Sequence, residues 1–436
     1  MLNVVRILVL AFLLLIRGVG LAHGGQFYVD SISGSDTNNG TSESTPWKTL
    51  AKVNATTFQA GDTINFKRGS SWSGTTLVVD SSGTSTSPVT YQAYGSGNAP
   101  TIVAPNSPYS HSITVTGSWN IIRDFLVRDG NESGIGVNSG ADHNTILNNE
   151  MTNAGTGTFV YGQYTLITHN YAHDLKMIVN DSTPSNDYGA VCFWLNAGNN
   201  EVSYNRGINC RAASIDFGYD GGFVEVFNSG DNTYVHHNYA QGTNGFFELG
   251  AGNNGSAQNV RVMDNIIYNA PGSPSICLNT GSYNINVTNF TFENNTYVST
   301  IGDSSAYRVF ACRTDLSSLI VRNNIFYSNI QIANNGNFTH VNNLYYMVNM
   351  VNGSGVGYSL STGEKTGNPL FVNLSTADFH LQSTSPAIDA GTTIGALTTD
   401  YDGGIVPIGS APDMGAFEYG SVVVTLPAAP TQLGVR

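Results

Sequence analysis

Charge is what this sequence has least of. Asp, Glu, Lys and Arg make up 11% of its 436 residues, with 17 basic against 30 acidic side chains and a formal net charge of −13. A chain so poor in cations lacks the concentrated positive surface that nucleic acid or an anionic membrane requires, and it disfavours a polyanionic substrate. Cysteine is also scarce. Cys192, Cys210, Cys277 and Cys312 are too few to scaffold so long a chain, and no pair has zinc-ligand spacing; buried thiols and one or two bridges both stay open. Beyond the first two dozen residues there is no apolar run long enough to cross a membrane. What is abundant is glycine (49 residues), together with Asn, Tyr and Phe, the composition of many short strands joined by tight turns rather than of a helical bundle.

Arg6, the apolar run Ile7 to Ile16 and the small-residue exit around Gly20, Leu21 and Ala22 read as a signal peptide over residues 1–24. Secretion to the periplasm or the exterior is therefore expected, with no membrane partner once the leader is removed.

A strand pattern ending in Asn recurs along the chain. It appears as Thr145-Ile-Leu-Asn-Asn149, Leu166-Ile-Thr-His-Asn170, Val202-Ser-Tyr-Asn205 and Tyr234-Val-His-His-Asn238, and continues through Asn265, Asn295, Asn324 and Asn343. Asp124 reads as an earlier member of the series. The Asn positions lie about 19 to 35 residues apart, the spacing of a solenoid in which each repeat is one turn of a coil. Asn side chains stacked at one bend can bond each other and the turn backbone, so an architectural asparagine ladder is expected. A second strand follows each bend, as in Gly189-Ala-Val-Cys-Phe193, Gly222-Phe-Val-Glu-Val226 and Gly245-Phe-Phe-Glu-Leu249. Equivalent strands separated by a whole turn of chain must pair in parallel. Pro46 and the apolar spacing that follows predict a short helix capping the first coil.

These features predict an all-β, right-handed parallel β-helix over residues 25–420, forming a monomer. Residues 421–436 read either as a linker or as the start of a truncated fibronectin type III-like module. The longest insertions, 174–186 and 206–220, fall beside the same strands, where loops on a rigid scaffold carry function.

At this point the chain resembles the pectate-lyase-like superfamily of secreted, carbohydrate-active β-helices, from Gln26 to Gly420. The resemblance rests on the stretch from Tyr28, on Gln59-Ala-Gly-Asp-Thr-Ile-Asn-Phe66, on Pro88-Val-Thr-Tyr-Gln-Ala-Tyr-Gly95, on the Asn-ended coils, and on the closing segments Phe379 to Gly391 and Pro412 to Tyr419. It implies the fold and a polysaccharide partner. The superfamily holds hydrolases, lyases, epimerases and adhesins alike, so it does not select a reaction. Neither the polygalacturonase acid series nor the calcium-and-arginine pattern of pectate lyases is matched here, and no catalytic residue is carried over.

The candidate chemistry comes from the acids. Aligning Asn186 to Phe193 with Tyr219 to Val226 sets Asp187 over Asp220 and Cys192 beside Glu225, and the next coil sets Glu248 beside Glu225. Alternation turns Val224, Val226, Phe247 and Leu249 inward and both glutamates outward. Neighbouring carboxylates repel, so one holds its proton while the other stays charged, which is what glycoside hydrolysis needs. Asp187, Asp220, Glu225 and Glu248 are thus the expected catalytic cluster, with Trp194, Tyr219, Phe223, Phe246, Arg211 and Asp216 expected to contact the glycan. No cofactor is required and no metal ligand is assigned, although the acids could instead bind Ca2+. Two other readings remain. A lyase or epimerase acting on a uronic-acid-containing glycan would draw on Lys176, Arg206, Arg211, Arg261, Arg308 or Arg313. In a non-catalytic glycan-binding surface protein the acids would hold calcium and the aromatics would grip the glycan. His169, His173, His236 and His237 read chiefly as structural.

Overall fold

The computed structural model describes residues 24–250, 255–271, 276–278, 285–301, 308–311, 317–353, 355–395 and 397–422. The expected leader (but for Gly24), Cys312, Arg313 and all but Ser421 and Val422 of the 421–436 tail lie outside these residues.

Three long parallel sheets carry the fold. The first has nine strands, from Leu77–Val79 to Phe310–Ala311; the second has twelve, from Gln26–Val29 to Thr339–Val341; the third has twelve, from Ser71–Ser73 to Lys365–Thr366. One coil shows how the chain visits them. Val191–Leu195 lies in the first sheet, Glu201–Ser203 in the second and Arg206–Ile208 in the third, after which Gly222–Phe227 returns to the first. The architecture is a right-handed parallel β-helix.

Inside the coil a single apolar core runs the length of the molecule, built from inward positions such as Val202, Val235, Val262 and Phe292. On the first sheet the alternation slips at one corner. Cys192 and Phe193, Phe223 and Val224, and Phe246 and Phe247 are consecutive pairs that both lie in this core. Only then does the two-residue rhythm resume, placing Val226 and Leu249 inward.

Between the second and third sheets the chain turns in two residues. The first holds a left-handed backbone, as at His169, Tyr204, His237 and Asp264, with φ between 52° and 56°. The second is the ladder Asn. Asn149, Asn170, Asn205, Asn238, Asn265, Asn295 and Asn324 each donate Nδ2 to the Oδ1 of the next, at 2.9–3.2 Å. Their backbone N–H groups donate to the same oxygens. Every bend thereby satisfies polar groups that would otherwise be buried without partners. Asp124 takes the left-handed position rather than the ladder one, which falls to Phe125.

The first coil is closed by a helix, Leu50–Asn54, capped by Thr49. It starts four residues later than Pro46 suggests, because Trp47 instead bridges to Val29 and extends the pairing of the first strand. Leu50 and Val53 are buried, and the Asn54 amide bonds Thr76 O and Val78 N along the exposed edge of the first sheet. At the far end the chain doubles back. Phe371, Phe379, Leu381, Met414 and Phe417 pack on Ile266, Val298, Ile325 and Leu344, covering the outer face of the third sheet. The central outer face of the first sheet lies clear of this cover, and the two insertions rise beside it.

Candidate functional site

Each insertion folds into its own hairpin. Met177–Val179 pairs antiparallel with Tyr188–Gly189, and Ala212–Ser214 pairs antiparallel with Gly218–Asp220. Two carboxylates tie the hairpins together. Asp187 accepts from Ser214 Oγ at 2.7 Å and from the N–H groups of Asp216 and Asp181 at 2.9 Å. Asp216 returns the contact by accepting from the backbone of Asn186 at 3.0 Å and Asp187 at 3.2 Å. At the root of the second insertion, a disulfide joins Cys210 to Cys192 in the strand beneath.

Between hairpins and sheet lies a cleft of about 520 Å³. Its floor comes from outward positions of the first sheet, where register pairs Phe159 with Trp194, Trp194 with Glu225 and Glu225 with Glu248. Asp187 and Asp220 reach it from the hairpins. All four acids expected to be catalytic therefore line one cleft. The alignment that put them there was off by two residues: Trp194, not Cys192, stands beside Glu225. The unequal return of the two hairpins explains the error, since Val191, four residues after Asp187, pairs with Gly222, only two after Asp220.

The acids differ in environment. Burial, reinforced by the charges of Glu248 and Asp220, holds the Glu225 carboxyl well above the usual carboxylate range. Burial likewise pushes Asp220 up to about 6, against a hydrogen bond from the Gly221 N–H and with the help of the Asp187 charge. Burial acts on Asp187 too, but the bonds from Asp216, Ser214 and Asp181 outweigh it and lower its pKa. Asp187 is thus an ionised brace, while Glu225 is positioned to hold a proton. Gly221, at φ +117°, adopts a backbone that any larger residue would strain, and with Gly222 and Gly245 it leaves a crevice beside Glu225 and Glu248.

Trp194 forms the back wall, edge-on to Phe159 at 4.9 Å, Tyr188 at 5.5 Å and Phe227 at 6.1 Å. These neighbours leave it only 6% exposed. Accessible ring surface comes instead from Tyr161 and Phe217, 45% and 56% exposed. Phe223 and Phe246, expected to meet the glycan, are wholly buried and stacked on each other at 5.1 Å in the core. Their place at the slipped corner turns them inward, so they cannot be platforms. Tyr219 and Arg211 stack at 3.7 Å on the hairpin outside the cleft lining, and Asp216 is held in the brace. Glu132, Phe159, Tyr161, Tyr188 and Phe217 line the cleft without having been singled out. Phe159 and Tyr161 were visible as alternate residues of a strand, but only the register to Trp194 shows which face they take.

No Lys, Arg or His is among the described residues lining the cleft. Lys176 bonds Asn131 Oδ1, Arg206 lies over the rings of Tyr171 and Tyr239, Arg261 pairs with Glu293, and Arg308 bonds Gln331. His173 meets Glu150 and Asp174, His236 meets Glu201, and His237 meets Asp400 O, all away from the cleft. Among the described residues no group of three or more His, Cys, Asp or Glu is arranged to hold a metal ion.

No protein-family model matches the chain. Over 140 residues it is 34% identical to a lacto-N-biosidase of Bifidobacterium longum subsp. longum, a match spanning 30% of this chain and 8% of that protein. Among solved structures, pectate lyase Pel9A superposes with a TM-score of 0.61 at 18% identity, covering 92% of this chain and 97% of that one. The GH136 lacto-N-biosidase from Eubacterium ramulus gives a TM-score of 0.41 at 10% identity, covering 78% and 68%. At such identity the first of these likenesses is one of architecture, and it agrees with the coil, sheets and core described above: the chain has the right-handed parallel β-helix fold.

Proposed function

We propose that the chain is a secreted glycoside hydrolase that degrades polysaccharide, with Glu225 as general acid and Glu248 as nucleophile. The observation that carries this reading is the register pairing of Glu225 with Glu248 on the outer face of the first sheet. Adjacent parallel strands stand roughly 4.8 Å apart, close to the ~5 Å carboxyl separation associated with retention of configuration. Glu225, protonated by burial and by its acidic neighbours, gives its proton to the glycosidic oxygen as the C1–O bond breaks. Glu248 attacks C1 to form a glycosyl-enzyme. Glu225, now a carboxylate, then takes a proton from the water that releases the sugar. Asp220 maintains the raised pKa of Glu225, Asp187 positions the hairpins, and Tyr161 and Phe217 offer faces on which sugar rings can stack.

The 140-residue likeness to a lacto-N-biosidase supports hydrolysis. So does the cleft lining, because elimination from a uronic acid calls for positive charge against the substrate carboxylate, whereas the described lining residues are acidic, aromatic or neutral. The test is a digest of neutral and acidic glycans, read for new reducing ends and for the ultraviolet absorbance of unsaturated uronides, beside Glu225→Gln. Reducing ends without absorbance, reduced at least 100-fold in the variant, are expected. Absorbance, or an unimpaired variant, overturns the assignment.

A further inference from the structure

A second groove, of about 470 Å³, opens on the same insertion. The hairpin that supplies Ser185 to Tyr188 to the acidic cleft supplies Lys176, Met177 and Ile178 to this groove, and Tyr109 and Asn131 line it as well. Its electrostatics are the reverse of the first. Lys176 is half-buried, and its ammonium bonds Asn131 Oδ1 at 3.1 Å, a neutral acceptor, while no described carboxylate forms an ion pair with it. The Asn131 amide is fixed in turn by donating to Ser107 O at 2.8 Å. In a chain carrying a net charge of −13, an ammonium facing a neutral amide can still pair with an anion. Tyr109 adds a second, independent mark. It is 62% exposed and holds φ +54°, a conformation costly for a bulky residue. An exposed ring held in that way at the rim of a groove presents a face for a sugar.

We propose that this groove binds an acidic unit of the glycan, a sugar bearing a single carboxylate or sulfate, with Lys176 pairing the anion and Tyr109 covering the ring. The inference rests on reading the neighbouring cleft as a glycan site, and it narrows the substrate class to largely neutral chains carrying isolated acidic units. The overall negative charge disfavours densely charged polyuronides, and one ammonium meets one anion.

The test reads binding rather than turnover. The full chain carrying Glu225→Gln is applied to an array of matched neutral, glucuronate-bearing and sulfated oligosaccharides, beside the same chain with Lys176→Met or Lys176→Arg added. Retention of the glucuronate-bearing or sulfated members, at least tenfold weaker with Lys176→Met and kept with Lys176→Arg, is expected, and which of the two classes is retained names the anion. Equal retention of neutral and acidic glycans, no retention of either acidic class, or indifference to Lys176→Met overturns the proposal. Preserved melting of the Met variant separates lost recognition from lost fold. Because no bond need be cleaved, failure of the hydrolase reading appears in the digest and failure of this one on the array.

Discussion

Glu225 and Glu248 are neighbours across one coil step, and the proposed chemistry draws on the cost of ionising both. The charge on Asp220 adds to that cost and raises Glu225 further. Removing it with Asp220→Asn relieves the repulsion, lowers the Glu225 pKa and moves the alkaline limb of the rate profile to lower pH, which a kcat/KM series across pH reads directly. Stability follows the same sign. Asp220 is raised from 3.8 to about 6 in the folded chain, so its protonated form favours the native state. That contribution is fully present below the unfolded value and is lost as pH rises through about 6. Melting temperature is expected to fall over that window, and Asp220→Asn to flatten the fall. The outward face of both glutamates was legible in the sequence, because Val226 and Leu249 after them keep strict alternation. Phe223 and Phe246 were not: the corner takes two inward residues in succession, and nothing in a row of apolar side chains marks where the rhythm slips.

The two hairpins are elements whose positions depend on each other through Asp187 and Asp216. Asp187→Asn keeps the shape but weakens three charge-assisted bonds. The expected outcome is faster hydrogen exchange over 177–189 and 212–220 and a loss of about tenfold in kcat/KM, with the melting of the long coil little changed. The Cys192–Cys210 bridge closes a loop of 18 residues, a constraint worth ~3 kcal/mol by loop entropy. Reduction is therefore expected to expose residues 206–220 to proteolysis before the rest of the chain. The insertions were recognisable from their length alone, and the structure sets both beside the cleft. Their mutual brace was not, since Asp187 and Asp216 meet only after the chain has passed through all three sheets.

At the scale of the whole molecule, a solenoid distributes stability among neighbouring coils rather than concentrating it in one nucleus. Asn238 bonds Asn265 and Val202 O and receives Asn205, so Asn238→Ala leaves buried partners unsatisfied at ~1–3 kcal/mol. Denaturant unfolding should show that loss at the central coils carrying the cleft. The recurrent Asn made this architecture readable in the sequence, because the same bend recurs in coil after coil and Asn satisfies its polar groups at most of them, while the packing of the C-terminal segment on the third sheet repeats nowhere and has no periodic mark. The coil brings Glu225 and Glu248 together, and the proposed hydrolysis rests on the geometry of that pair. The most direct test is the anomeric configuration of the first product released from the glycan that the digest selects, followed by proton NMR before mutarotation. Retained configuration is expected of two carboxylates on adjacent coils; an inverted or an unsaturated product would contradict it.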